Sequence, residues 1–397
     1  MNKHRTGAML AAAATLGLAA TACSSGSASS SASTSASGAS AAKLTACPQS
    51  VAPAGATGGA PAGGAPAGAA ASIPIAKTIK PVDTRNSSVI DPTGPQIQCG
   101  QAQLTTYRNV VYSTPATNGK KTELKLDIQV PKTAGSKPLV VYLTGGGFQQ
   151  ADQSGNLNQR TYVAEQGYVV ASIQYRTTTV GATYKDAVID VKSAIRYLRA
   201  HASQYHINAS KVAVWGQSAG GYLAAMTGTT NGLSQFNTGA NLGQSSNVQA
   251  VVDEFGPSDL SELAADYDTA TQKANYAAGN SLAQWAFGPG TKKSILNGPA
   301  KEVAAADPIS YISGSTPPFA ELQGTHDQLV SPSQTELVNN ALLAKGVEST
   351  RYLIKGANHG DLTFLGSSPG NVKASLPWST QKVMGLIVSF LNQHLGS

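Results

Sequence analysis

VAVWGQSAGGYLAAMT, residues 212–227, joins a short apolar run to a run of small residues through the pattern Gly-x-Ser-x-Gly. Val212–Trp215 predicts a buried strand, and Ala219–Thr227 predicts a helix directly behind it. In a strand–turn–helix of this kind, flanking glycines let strand and helix approach closely and leave the Ser218 hydroxyl exposed above the sheet. The alternative is a tight turn that contains an ordinary serine.

Outward from this turn, the sequence alternates between strand and helix patterns. Seven further strands are predicted at Thr105–Tyr112, Glu123–Gln129, Pro138–Leu143, Tyr168–Ile173, Val248–Glu254, Pro318–Gln323 and Ser349–Ile354. Helical spacing of apolar residues predicts helices at Asp186–Ala202, at Ser333–Lys345 and from Val383 to the C-terminus. Eight strands that alternate with helices predict an α/β fold, with a mainly parallel sheet and helices on both faces. We assign residues 105–397 to this domain, 73–104 to an N-terminal extension and about 228–312 to an insertion or small cap.

Composition excludes several classes of protein. The 397 residues include 28 Lys+Arg and 21 Asp+Glu, a formal charge of +7, and the basic residues are scattered without a run. This distribution gives little support to nucleic-acid binding. The pattern also excludes a collagen repeat, a coiled coil and a multi-span membrane protein.

The N-terminus has the pattern of an export signal. A basic start at residues 3–5 precedes the apolar run Ala8–Ala20, which is too short to span a bilayer. An Ala-Thr-Ala cleavage sequence ends at residue 22, and Cys23 follows at once, as in bacterial lipoprotein signals. We expect Cys23 to be lipidated on an exported surface protein, with free secretion as the alternative and with membrane contact only through this anchor. Residues 23–72, rich in Ser, Ala, Gly and Pro, predict a flexible tether.

Two cysteines remain after Cys23. Cys47 and Cys99 are expected to form a disulfide, because export places them in an oxidising compartment. The alternative is two unpaired thiols. No His/Cys cluster has the spacing of a zinc site, so no metal is expected.

A glycine-rich turn follows the strand that ends at Leu143. Its sequence is Thr144-Gly145-Gly146-Gly147-Phe148, and no phosphate-binding lysine motif follows it. Backbone N–H groups that point at a developing alkoxide need a loop without obstructing side chains. We predict an oxyanion hole formed by Gly146, Gly147 and Ala219, with the Phe148 N–H as an alternative donor and a plain glycine turn as the alternative structure.

A serine hydroxyl needs a base, and the base needs an orienting acid. His359 lies in a turn-rich loop after a predicted strand, and Asp327 follows the strand before it. Asp361, Asp307 and Glu321 are the rival carboxylates. The chain order Ser218, Asp327, His359 is the order found in α/β-hydrolases.

These motifs resemble the carboxylesterase branch of the α/β-hydrolases, most nearly the bifunctional feruloyl and acetyl-xylan esterase-like family. The resemblance runs from residue 105 to 395 and is carried by Leu143–Phe148, Asp190–Arg199, Gly216–Gly221, Val251–Leu260, Pro317–Phe319, Gly324–Val330 and Gly356–Gly360. It implies that Ser218, Asp327 and His359 are the catalytic triad. The family usually has His before the triple glycine, where this chain has Thr144. We expect that change to shift substrate range or lower activity, while the backbone donors remain.

The resemblance implies cofactor-free ester hydrolysis through a covalent acyl-serine. The expected substrates are short-chain acyl esters or acetylated or feruloylated carbohydrate esters, including polysaccharide. The alternatives are an amidase or peptidase on the same fold and, less favoured, a tethered non-catalytic binding protein. Trp285, Phe287 and the loop 228–247 are the predicted lining of the acyl pocket.

Overall fold

A nine-stranded sheet forms the centre of the computed structural model, which describes residues 44–49, 73–361 and 376–396. In chain order its strands are β1 (Ser87–Ile90), β2 (Leu104–Ser113), β3 (Leu124–Pro131), β4 (Lys137–Leu143), β5 (Val169–Ile173), β6 (Ile207–Gln217), β7 (Ala250–Glu254), β8 (Phe319–Gly324) and β9 (Ser349–Ile354). The predicted signal peptide, Cys23 and most of the predicted tether lie outside the described residues.

The strand order across the sheet is β1-β9-β8-β7-β6-β4-β5-β3-β2. All strands are parallel except β3, which runs antiparallel to both of its neighbours. The predicted mainly parallel α/β sheet is therefore confirmed, but the predicted count of eight strands was one too low. The missing strand is β1, which lies in the N-terminal extension and pairs with β9 from Ser87–Arg351 to Ile90–Ile354. Its sequence Ser-Ser-Val-Ile is too short to show a strand pattern.

Helices cover both faces of this sheet. The described α-helices are α1 (Leu157–Glu165), α2 (Tyr184–Ala200), α3 (Ala219–Thr229), α4 (Thr269–Asn275), α5 (Ser281–Phe287), α6 (Ala300–Ala304), α7 (Ser333–Ala344) and α8 (Gln381–Leu395). Helix α1 was not predicted, because polar Gln159, Arg160 and Thr161 are among its buried residues and no apolar stripe results. Within this part of the chain, no helix combines the length and apolarity needed to cross a bilayer.

Two apolar cores lie on opposite faces of the sheet. Val141 and Val214 belong to the core beneath α2 and α3, whereas Tyr142 and Trp215 belong to the core beneath α1 and α8. Because successive side chains of a strand point to opposite faces, the fully buried strand β4 supplies both cores in turn. This explains why the central strands are continuous apolar runs in the sequence.

The predicted insertion at 228–312 is divided by a central strand. Strand β7 occupies residues 250–254, so residues 230–249 follow α3 at the amino ends of the parallel strands. Residues 255–318 instead follow β7 at the carboxyl ends. The range 228–312 therefore contains two separate connections, one on each side of β7.

A disulfide joins Cys47 to Cys99. Thr45–Ala46 pairs antiparallel with Gln98–Cys99 beside this bond. The Glu165 carboxylate at the end of α1 accepts hydrogen bonds from Gly100 N at 2.9 Å. The disulfide therefore lies near the amino end of β5, away from the carboxyl ends of the parallel strands.

Candidate active site

Ser218 lies in a strained turn between β6 and α3. Its φ is 57° and its ψ is −123°, a conformation that costs a non-glycine residue on the order of 1–3 kcal/mol. The turn holds because strand, helix and neighbouring loop are in close contact: a Cβ added to Gly216 would lie 2.1 Å from Gly220 O, and one added to Gly220 would lie 2.0 Å from Leu143 O. The glycines of the Gly-x-Ser-x-Gly pattern are thus a packing requirement.

The structure brings Ser218, His359 and Asp327 into one hydrogen-bonded chain. His359 Nε2 lies 2.8 Å from Ser218 Oγ, and His359 Nδ1 lies 2.8 Å from Asp327 Oδ2. The three residues follow β6, β9 and β8, whose carboxyl ends meet at one edge of the sheet. With its proton on Nδ1, the imidazole can accept the serine proton through Nε2.

Three donors fix the Asp327 carboxylate, which is fully buried. Oδ1 accepts hydrogen bonds from Leu329 N at 2.9 Å and Val330 N at 3.0 Å. Oδ2, which faces His359, also accepts from Gln323 Nε2 at 2.9 Å. The carboxylate therefore has one orientation, set by its own loop and by the strand before it.

The rival carboxylates have other partners. Asp361 accepts from Trp378 N at 3.1 Å and Ser379 Oγ at 2.8 Å, and burial raises the pKa of Asp361 to about 6. Asp307 accepts from Leu260 N at 2.9 Å. Glu321 lies opposite Asp253 in the register of β8 and β7. Among these carboxylates, the hydrogen bond to the His359 ring is made by Asp327.

Aromatic side chains that the sequence did not suggest hold His359 in place. The Phe255 ring centroid lies 4.6 Å from the imidazole and 4.6 Å from the Trp378 ring. Trp378 Nε1 donates to Asn358 O at 3.0 Å, next to His359 in the chain. Phe255 also has a φ of 47°, which is rare for a bulky residue. The only signal in the sequence was its place in the Glu254-Phe255-Gly256-Pro257 turn.

The glycine loop after β4 lies directly against the nucleophile. A Cβ added to Gly145 would lie 3.0 Å from Gln217 O and 3.1 Å from Ser218 Cβ. Gly146, Gly147 and Phe148 all have positive φ, at 153°, 58° and 62°. The backbone conformation therefore favours glycine at residues 146 and 147, whereas Phe148 adopts a positive φ as a non-glycine exception. Ala219, the third predicted donor, begins α3 on the other side of Ser218.

The place of the usual histidine is taken by Thr144, which is buried. Its carbonyl oxygen accepts a hydrogen bond from Tyr175 Oη at 2.7 Å. Its own Oγ1 has no hydrogen-bond partner among the described residues. Tyr175 therefore fixes the start of the glycine loop in this chain, and this contact could not be inferred from the sequence.

The predicted acyl-pocket residues lie in different places. Trp285 is fully buried and stacks on Phe148 with ring centroids 4.7 Å apart, so it supports the glycine loop from behind. Phe287 packs instead beside Gly298 and Lys293. The loop 228–247 follows the far end of α3, about 16 Å along the helix from Ser218. The prediction for that loop was wrong because α3 carries the chain away from the site.

Buried carboxyl groups lie beneath the nucleophile turn. Glu254 accepts hydrogen bonds from Trp215 Nε1 at 2.7 Å and Gln217 Nε2 at 2.9 Å, and its burial raises its pKa to about 8. Burial also raises the pKa of the neighbouring Asp253 to about 7, and that of Glu321 well above its usual range. Burial thus favours the neutral form of these carboxyl groups, which limits the negative charge beneath the nucleophile turn.

A serine at a strand–helix turn, an acid and a base after later strands, and a glycine loop after an earlier strand together define an α/β-hydrolase. The family model BD-FAE matches residues 126–342, more than half of the chain. The chain therefore belongs to the BD-FAE family, as its sequence motifs suggested.

Individual relatives agree with this assignment. The chain is 27% identical over 205 residues to the probable carboxylic ester hydrolase LipM of Mycobacterium tuberculosis, an alignment that covers 50% of this chain and 43% of that protein. It thus spans less than half the length of this relative. A butyrate-bound esterase from Thermogutta terrifontis is 25% identical, with a TM-score of 0.53 over 74% of this chain and 94% of that one. A truncated carbohydrate esterase from gut microbiota shares the fold, with 22% identity and a TM-score of 0.58 over 77% of this chain and 100% of that one.

Proposed function

We propose that this protein is an exported serine carboxylic-ester hydrolase that acts on short-chain acyl esters or on acetylated or feruloylated carbohydrate esters. The observation that carries the proposal is the pair of 2.8 Å hydrogen bonds that link Ser218, His359 and Asp327. The BD-FAE family match and the esterase relatives support the same activity. Export rests on the signal-like N-terminal sequence alone.

The proposed first step forms an acyl-serine. Ser218 Oγ attacks the ester carbonyl carbon while His359 Nε2 accepts the serine proton. The carbonyl oxygen becomes an oxyanion, which the N–H groups of Gly146, Gly147 and Ala219 stabilise. Collapse of this intermediate breaks the carbon–oxygen bond to the alcohol, and the imidazolium returns its proton to the leaving oxygen. Asp327 stabilises the positive charge on His359 throughout.

The second step reverses these roles with water. His359 removes a proton from a water molecule, and the resulting hydroxide attacks the acyl carbon. The bond to Ser218 Oγ then breaks, and the serine recovers its proton from His359. Acid and free serine are the products, so the cycle needs only ester and water.

The residues around the glycine loop are compatible with a carbohydrate alcohol. Gln149 and Gln150 follow the loop directly, and both are half-buried at its edge. Amide groups both donate and accept hydrogen bonds, as sugar hydroxyls do. The deep side of the loop is filled by Phe148 and Trp285, an arrangement that favours small acyl groups.

Hydrolysis of p-nitrophenyl acetate, butyrate and octanoate tests the proposal. The chain without residues 1–23, which keeps Cys47 and Cys99, is compared with its Ser218→Ala variant and with Ser210→Ala, a control at an exposed serine of β6. We expect kcat to fall by about 10⁴-fold or more for Ser218→Ala and to be unchanged for the control. Equal rates for the wild type and Ser218→Ala on every ester would overturn the proposal, and p-nitroanilides would then test amide hydrolysis.

A further inference from the structure

The segment of residues 73–80 is held against the loop that carries Asp327. Ala76 is buried at 1% exposure, and its N–H donates to Gln328 O at 3.0 Å. Gln328 Nε2 donates in return to Ala76 O at 2.8 Å. Because Gln328 is the residue after Asp327, this segment is fixed directly beside the catalytic acid loop.

The same segment is also fixed to the chain that follows β7. Lys77 N donates to Asp268 Oδ2 at 3.1 Å, and Lys80 N donates to Asp266 O at 2.8 Å. Tyr267, between those two acids, donates from its hydroxyl to Asp327 O at 3.1 Å. Residues 76, 77 and 80 thus have their position set by hydrogen bonds at the carboxyl ends of the strands.

The start of the segment reaches the glycine loop on the opposite side of the site. A Cβ added to Gly147 would lie 3.0 Å from Ile73 Cδ1. The Ile73 side chain therefore contacts the backbone of a proposed oxyanion donor. It remains 43% exposed, so a large part of its apolar surface is free for contact.

Residues 73–76 consequently connect the glycine loop to the acid loop, on either side of Ser218. An ester bound with its carbonyl oxygen at Gly147 would lie next to this segment, because Ile73 contacts the same glycine. We propose that Ile73 forms part of the wall of the substrate-binding site and determines selectivity for esters with an apolar group larger than acetyl, an inference that rests on the proposed function. Neither the family motifs nor the catalytic residues include this position.

The test compares long with short substrates, in one series that varies the acyl group and one that varies the alcohol. The acyl series is p-nitrophenyl octanoate against acetate, and the alcohol series is hexyl against methyl butyrate. For Ile73→Ala, in the chain without residues 1–23, we expect the long-to-short ratio of kcat/KM to fall about 3- to 10-fold in one of the series, through lost apolar contact. The affected series identifies the substituent that Ile73 contacts. Ile73→Leu is expected to restore the ratio.

Leu44→Ala is the matched control. Leu44 has the same number of carbons and is 45% exposed, but it lies beside the disulfide at the amino ends of the strands. Unchanged ratios in both series for Ile73→Ala, or equal changes for Leu44→Ala, would overturn the inference. A wild-type chain that hydrolyses none of these esters would instead overturn the proposed function. Thermal unfolding of each variant establishes that the compared proteins are folded.

Discussion

The nucleophile side and the acid–base side of the site are built by different means. Around Ser218, backbone atoms of neighbouring segments are in direct contact. An added methyl group at Gly216 or Gly220 would therefore overlap a carbonyl oxygen. Around Asp327 and His359, position is set by side-chain hydrogen bonds and by the Phe255 ring. The first side depends on the absence of side chains and the second on their chemical identity. Substitutions should therefore fail for different reasons on the two sides.

Asp327→Asn should have the largest effect in this comparison. The amide has nearly the same shape and keeps an oxygen for Leu329 N and Val330 N, so the fold should be retained. It removes the negative charge that orients His359 and stabilises its imidazolium, and we expect kcat to fall about 10⁴-fold. Turnover of p-nitrophenyl acetate and thermal unfolding measure the two effects. Asp91→Asn, at an exposed acid, is the control, and a loss below tenfold for Asp327→Asn would contradict a chemical role.

Gly220→Ala should damage both activity and stability. The new Cβ would lie 2.0 Å from Leu143 O, so β4 and α3 must move apart and displace Ser218. We expect about a 10²-fold lower kcat/KM from misplacement and about 1–3 kcal/mol lower stability from overpacking. Urea unfolding and ester hydrolysis measure these losses.

Gly385→Ala is the matched control for that substitution. Gly385 lies within α8, and among the described residues no heavy atom beyond its chain neighbours and the adjacent backbone of α8 lies within 4 Å of its added Cβ. Alanine should leave activity unchanged there and should raise stability by up to about 1 kcal/mol through its higher helix propensity. Equal losses at Gly220 and Gly385 would show that close packing at the turn is not what constrains the nucleophile side.

Glu254→Gln should have the smallest effect of these substitutions on the site. The effect appears in the pH dependence of the melting temperature. Burial raises the pKa of Glu254 from 4.5 to about 8, so the folded chain retains a proton that the unfolded chain releases above pH 4.5. Its contribution to stability is fully present below pH 4.5 and is lost as the pH rises through 8. The glutamine side chain can still accept hydrogen bonds from Trp215 and Gln217. Because it does not ionise, it lacks the loss of stability that deprotonation of Glu254 causes. Melting temperature measured from pH 5 to 9 should fall less in the variant, and parallel curves would contradict this prediction.

The sequence was sufficient for the parts of the fold that carry periodic or backbone signals. Buried central strands are continuous apolar runs, and the nucleophile turn requires glycines at fixed spacing. Strand β1 was missed because four residues carry no period, and α1 was missed because its buried face is polar. These elements acquire their structure from their neighbours, which a local pattern does not contain.

The candidate site likewise combines features that the sequence predicts with contacts that it does not. The positions of Ser218, Asp327 and His359 follow from strand order, since the carboxyl ends of parallel strands share an edge. The contacts of Tyr175 with Thr144 and of Gln328 with Ala76 join residues 31 and 252 positions apart. Such pairs depend on the assembled packing, and neither partner has a motif that marks it.

The disulfide has a consequence for how the chain responds to proteolysis. Cys47 and Cys99 are 52 positions apart, and their bond makes a covalent ring of the residues between them. A protease that cuts one peptide bond inside this ring opens it without separating the two pieces. If Cys23 carries a lipid, the nicked enzyme would stay attached to the membrane until a reductant breaks the sulfur bridge. For a cut inside this ring, release from the cell surface would then require two chemically distinct events, a hydrolysis and a reduction.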